Sequence, residues 1–198
     1  HPVAHSFPTR RSSDLTPSSR SPIVYLIICG WTALAEAATF TLSMVYLVQT
    51  VGLDALQLVL VGTVLETSVF LCEVPTGMLA DARGRRLSVI IGFGLTGVGF
   101  LFYGALPVFA LILLGQVLWG CGATFVSGAL QAWIADEVGP ERARPLFARG
   151  AQVRQMAAVA GIGLSLGLGL LALNLPIVVG GALMLALAVT LLVVMPET

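Results

Sequence analysis

Two long stretches of this chain carry no charged residue. The first runs from Leu87 to Ala135 and the second from Gln155 to Pro196. A bilayer core of about 30 Å takes about 20 predominantly apolar residues per helix, so each stretch holds two crossings and a turn. Gly and Pro punctuate helices, which places the first break at Tyr103-Gly104-Ala105-Leu106-Pro107 and the second at Asn174-Leu175-Pro176. Two further apolar stretches come earlier, separated by the short polar turn Thr50-Val51-Gly52-Leu53-Asp54. The pattern predicts six spans, at about 23–48, 56–80, 86–104, 107–134, 147–172 and 176–195. The fold class is all-α: a polytopic membrane protein whose six transmembrane helices are joined by short connections.

Composition agrees with this pattern. Hydrophobic residues are 57% of the 198 and charged residues 10%, where a soluble domain carries roughly 25% charged. Mean hydropathy is +0.97. A soluble domain lacks the polar residues to coat so much apolar surface. Disordered chains are charged and poor in apolar residues, which excludes that class. Ten basic against ten acidic residues, all ten basic ones Arg, gives a net charge of +0 and excludes a basic nucleic-acid binder.

Residues 1–20 differ from everything that follows. They are polar and rich in Ser, Pro and Arg, with no apolar run of signal-peptide length. His5–Leu15, HSFPTRRSSDL, resembles the in-frame translation of a common sequencing-adapter oligonucleotide. The expectation is a disordered head left by sequence assembly, with the true start lost and the six-helix bundle occupying 21–198. Without the head, seven Arg face nine acids. Arg83, Arg85 and Arg86 lie between spans two and three, and Arg142, Arg144 and Arg149 around the connection between four and five. The other connections contain no Arg, so the positive-inside rule puts both Arg loops and both termini in the cytoplasm, with the chain multi-pass in the plasma (inner) membrane.

Between spans two and three stands Gly77-Met78-Leu79-Ala80-Asp81-Ala82-Arg83-Gly84-Arg85-Arg86. It resembles the signature loop of the major facilitator superfamily, G-x-x-x-D-x-x-G-R-[KR], in the same topological slot. Val64–Val89 and Trp119–Gly139 look like the multidrug, tetracycline- or macrolide-efflux branch. The resemblance covers residues 22–198, the amino-terminal six helices of a twelve-helix transporter, and Met195-Pro196-Glu197-Thr198 is similar to the way sixth helices end. It implies a bundle of two inverted three-helix repeats. It also implies secondary active efflux of a lipophilic, drug-like small molecule by proton antiport and alternating access, with a second six-helix half as partner and no cofactor or enzymatic chemistry. In such a loop Gly77 lets a neighbouring helix approach, Gly84 supplies a positive φ, and Asp81 caps or faces a helix terminus. Arg85, with Arg86 beside it, is placed to bond a carboxylate at the end of span four, either Asp136 or Glu137. Two departures stand out. Ala82 occupies the usual arginine position of the loop, with Arg83 after it. Trp119-Gly120-Cys121-Gly122-Ala123 keeps only part of the antiporter motif R-x-x-Q-G-x-G-A, with Gln116 in place of its Arg.

Three carboxylates fall inside predicted spans: Glu36 mid-way in span one, Glu66 mid-way in span two, and Glu73 two turns further on. A mid-bilayer charge costs about 2.5–3.5 kcal/mol, so it faces a cavity or a partner. A carboxyl held out of water binds a proton more readily, as a coupling site requires. Glu36 is the first candidate for binding a proton or a cationic substrate. Glu66 and Glu73 share a helix face with Gly62, Phe70 and Gly77, and either would serve as a partner for Arg154 in span five. Gln116 and Gln131 of span four complete the cavity candidates. Trp31, Trp119 and Trp133 could stack planar molecules, although interface anchoring is the commoner use. Gly161, Ser165 and Gly169 form one small-residue face of span five and Gly163 and Gly167 another, both suited to close packing. Cys29, Cys72 and Cys121 lack CxxC or Cys/His grouping, so neither a disulfide nor a metal is expected. Two alternatives remain open: an integral-membrane enzyme, for which Asp81 with Asp136-Glu137 is the nearest carboxylate set, and a non-transporting truncated fragment.

Overall fold

The computed structural model describes residues 20–195, and every regular element among them is helical. Residues 1–19 of the head and residues 196–198, with the expectations placed on them, lie outside the described residues. Helix α1 (Ser21–Thr41) runs through a short α2 (Ser43–Val45) into a π-helical turn, Tyr46–Val51. Then follow α3 (Ala55–Arg83), α4 (Arg85–Ala105), α5 (Phe109–Val126), α6 (Ala129–Val138), α7 (Pro140–Gly169) and α8 (Leu175–Val194). Five stretches are long and apolar enough to cross a membrane: Ser21–Val51, Ala55–Ala80, Arg85–Ala105, Phe109–Val138 and Leu175–Val194. The predicted fifth span corresponds to α7, which has the length at 30 residues but not the apolarity, since four Arg and two Gln lie along it.

Two predicted spans are not single straight helices. Span one bends near Leu42, where the hydroxyls of Thr39, Thr41 and Ser43 donate to the carbonyls of Ala35, Ala37 and Phe40. Such back-bonding competes with the helix ladder and bends helices. Span four divides at Ser127-Gly128, with Gly128 at φ +75° between α5 and α6. The turn before α3 closes as a capping box: Asp54 Oδ1 accepts from the Gln57 amide at 2.8 Å and Gln57 Oε1 from the Asp54 amide at 3.0 Å. Asp54→Ala is expected to cost about 1 kcal/mol, lowering the melting temperature of the solubilised protein by about 2–4 °C; an unchanged melt would refute the role of the cap.

The principal helix neighbours are α3 with α5, α5 with α4, α4 with α8, α8 with α1, and α1 with α7. Thus α3 and α7 stand at the two flanks, and α5, α4, α8 and α1 lie between them. Lipid is as apolar as leucine, so small residues and tight packing, not a hydrophobic driving force, hold such helices together. The α4–α5 seam brings backbone against backbone at two places. A Cβ at Gly99 would stand 2.7 Å from the Gly115 carbonyl oxygen, and one at Gly92 would stand 2.7 Å from that of Gly122; the reciprocal approaches are 2.6 and 2.7 Å. Asn174 Nδ2 donates to the Gly104 carbonyl at 3.2 Å, joining the Pro107 and Pro176 turns.

Three expectations are corrected here. Cys72 of α3 and Cys121 of α5 form a disulfide, with Cα atoms 5.4 Å apart. Nothing in their spacing suggests it, but Gly120 seats α5 against Ser68 and Leu65 of α3 and so brings the cysteines together. On α7 only one small-residue face is packed, Gly161 against Leu34 and Ala37 of α1, while a Cβ at Gly163 or Gly167 meets nothing within 4 Å. Trp133 is no interface anchor, because it is fully buried in the core beside Ile134 and Leu187.

Candidate functional site

Two clusters gather the chemistry-bearing residues, one at the end of the bundle where α3 meets α4 and one between α1 and α7. At the first, α3 ends on Gly84, which holds φ +96° and ψ 143°, a conformation L side chains rarely adopt. That sharp exit starts α4 with Arg85 and Arg86. Arg85 Nη1 donates to the Ala132 carbonyl at 3.0 Å and forms an ion pair with Asp136 of α6. Arg86 Nη2 donates to the Leu192 carbonyl of α8 at 2.6 Å. The loop therefore ties the start of α4 to α6 and α8 together.

Of the two carboxylates open to Arg85, the structure selects Asp136. Glu137 faces elsewhere, accepting from Ser21 Oγ of α1 at 2.7 Å. One helix position separates them, and that rotation of about 100° decides the pairing. The Arg85 and Asp136 side chains are 33% and 54% exposed, so the pair is worth no more than about 1 kcal/mol to stability. It positions helix ends more than it stabilises them. Among the described residues no helix lies against Gly77, where a Cβ would meet nothing within 4 Å. The side chains of Asp81 and Arg83 lie outside the described residues.

In the second cluster Arg154 of α7 pairs with Glu36 of α1, Nη2 to Oε2 at 3.1 Å, and its Nη1 donates to Thr32 Oγ1 at 3.2 Å. This overturns the pairing of Arg154 with Glu66 or Glu73. Both of those glutamates are exposed on α3, and α3 and α7 stand on opposite flanks of the bundle. Gly30 and Gly161 let α7 lie close along α1, which sets Arg154 opposite Glu36. The pair opens onto a cleft of about 250 Å³ that is also lined by Ala33, Ala37, Phe40, Gln155 and Ala158. Charge cancellation spares each ion the full cost of standing alone at membrane depth.

Gln116 is buried on α5, lining one gap with Phe40 and Trp119, and its Oε1 has no hydrogen-bond partner among the described residues. Gln131 is exposed on α6 and lines neither the cleft nor the gap around Gln116. Trp31 Nε1 donates to the Leu183 carbonyl of α8 at 2.8 Å. Sequence reasoning misses Phe40, which stacks on Trp119 with ring centroids 4.6 Å apart and walls the cleft. A phenylalanine in an apolar helix carries no signal that separates it from its neighbours.

No protein-family description matches the chain. Over 89 residues it is 29% identical to the uncharacterized MFS-type transporter YxaM of Bacillus subtilis (strain 168). That match covers 45% of this chain and 22% of the relative, so the chain spans less than a quarter of that relative's length in the match.

Proposed function

We propose that the chain is the amino-terminal six-helix half of a major facilitator secondary transporter. It exports a lipophilic, drug-like small molecule by proton antiport with alternating access, and it works with a carboxy-terminal six-helix half. The observation that carries this reading is the Gly84–Arg85–Arg86 turn bound to Asp136 and α8 at one end of a helical bundle, with an ionisable pair in a cleft between α1 and α7. The similarity to the MFS-type transporter YxaM supports it. So does the neighbour pattern. Exchanging α1 with the α5–α6 pair, α3 with α7 and α4 with α8 turns the α1–α7 contact into α5–α3, α1–α8 into α5–α4, and α4–α8 into itself. Two inverted three-helix repeats produce that symmetry.

The Arg distribution supports an orientation with the Arg85 end and both termini on the cytoplasmic side of the inner (plasma) membrane. The open face of α3, with Glu66, Phe70, Glu73 and Gly77 exposed together, is where the second half docks. Arg85, Asp136 and Asp81 latch the cytoplasmic side in the outward-facing state. In the cleft, a proton taken up by Glu36 removes its charge and releases Arg154, and this is the coupling step.

Glu36→Gln tests the reading. Uptake of a lipophilic dye panel by inverted vesicles carrying both halves is expected to lose its dependence on a proton gradient, falling at least tenfold at unchanged protein abundance. Uptake equal to wild type would remove Glu36 from coupling.

A further inference from the structure

Three aromatic rings meet where α1, α4 and α5 converge. Phe40 stacks on Trp119 at 4.6 Å and 29°, and stands edge-on to Phe100 at 5.3 Å; Phe100 in turn stands edge-on to Trp119 at 5.6 Å. Gln116 lies one helical turn before Trp119 on α5 and is 4% exposed. These residues, with Tyr103 and Gly115, line a gap too narrow for a water molecule. Gln116 lines this gap, and its Oε1 is a buried acceptor with no partner among the described residues. Buried polar side chains nearly always have a partner, so an orphan of this kind calls for an explanation.

Phe40 supplies one. The same residue also walls the Glu36–Arg154 cleft, so Phe40 is shared by the linings of that open space and of the gap that holds the orphan acceptor. We propose that the place now held by the Phe40 ring is a binding subsite for an uncharged planar aromatic molecule carrying an N–H or O–H donor, such as a phenol or an indole. The ligand ring takes the position of Phe40 between Trp119 and Phe100 and donates to Gln116 Oε1, while Phe40 swings into the cleft. The subsite rests on the transport reading only in treating that cleft as the substrate's route.

Each property of the ligand follows from one observation. It is planar because the cage offers ring faces and edges, which prefer stacked or T-shaped partners. It is a donor because the unmatched group is a carbonyl oxygen, and a site built around such a group discriminates against an analogue lacking the donor. It is uncharged because Glu36 and Arg154 neutralise each other, and neither lining contains another charged side chain.

The test compares 4-fluorophenol with 4-fluoroanisole, which share the fluorinated ring and differ in the hydroxyl donor. Fluorine NMR titration of the full chain in lipid nanodiscs, with partition into empty nanodiscs subtracted, is expected to show the phenol binding about tenfold tighter or more, as one hydrogen bond to a buried acceptor provides. In Gln116→Leu the two probes become equal, while the melting temperature holds or rises because an unsatisfied amide has gone. Equal affinities in the wild type overturn the subsite, and so does a phenol preference that survives Gln116→Leu. Dye transport by vesicles carrying both halves is scored separately. Intact transport without the phenol preference defeats the subsite alone, and a preference without any transport defeats the transport reading alone.

Discussion

Gly99→Ala lowers the melting temperature of the solubilised protein, and Gly94→Ala, five residues earlier on the same helix, does not. At Gly99 the added methyl carbon stands 2.7 Å from the Gly115 carbonyl oxygen and 2.9 Å from the Trp119 nitrogen, whereas at Gly94 it meets nothing within 4 Å. Both obstacles at Gly99 are backbone, so no flexible side chain can swing away and the two helices must separate. Overpacking of this kind costs about 1–3 kcal/mol, or roughly 2–12 °C for a chain of this size. Replacing glycine in a helix otherwise gains up to about 1 kcal/mol, so the two variants should move in opposite directions. The double variant Gly99→Ala/Gly115→Ala should fall further, because each methyl enters the same gap. Thermal melts monitored by size-exclusion fluorescence read the difference, and indistinguishable melts would show that the seam does not hold the bundle.

On the proposed transport reading, Arg85→Asp abolishes efflux without unfolding the protein. The side chains of Arg85 and Asp136 are one-third and one-half exposed, so breaking their pair costs the fold about 1 kcal/mol or less. What is lost is the tie between the start of α4 and α6, made by one guanidinium to both Asp136 and the Ala132 carbonyl. Reversal goes beyond loss, because it sets two carboxylates against each other. Expected are normal membrane insertion, a melting temperature within about 4 °C of wild type, and substrate efflux reduced at least tenfold. Arg85→Asp/Asp136→Arg, which restores opposite charges, should recover part of the efflux. Full efflux in the single variant would end the latch assignment, and absence of any recovery in the swap would point to the Ala132 carbonyl as the essential partner.

Much of the bundle was legible along the chain. Uncharged stretches broken at Tyr103–Pro107 and Asn174–Pro176 correspond to helices that end at Ala105 and begin at Leu175. Those signals are local: a membrane-depth helix must satisfy its backbone within itself, so its extent is written in its own residues. Gly84 is local in the same way, since a sharp turn between two helices needs a residue that tolerates positive φ. The Arg85 partnership was half legible. Sequence order brings Asp136 and Glu137 to the right end of the bundle, but only the rotation of α6 turns Asp136 toward Arg85 and Glu137 toward Ser21.

Sequence alone determined the all-helical membrane class, the ends of several helices, the Arg-rich ends and the loop at Gly77–Arg86, because each depends on hydropathy, charge or turn chemistry within a few residues. Tertiary structure decided the pairs: Glu36 with Arg154, Cys72 with Cys121, Phe40 with Trp119, and the glycine seam of α4 against α5. Each pair joins residues on different helices, and which helix faces meet depends on close backbone approach at small residues. In a bilayer apolar side chains are indifferent among apolar neighbours, so hydrophobic patterning carries no record of that choice.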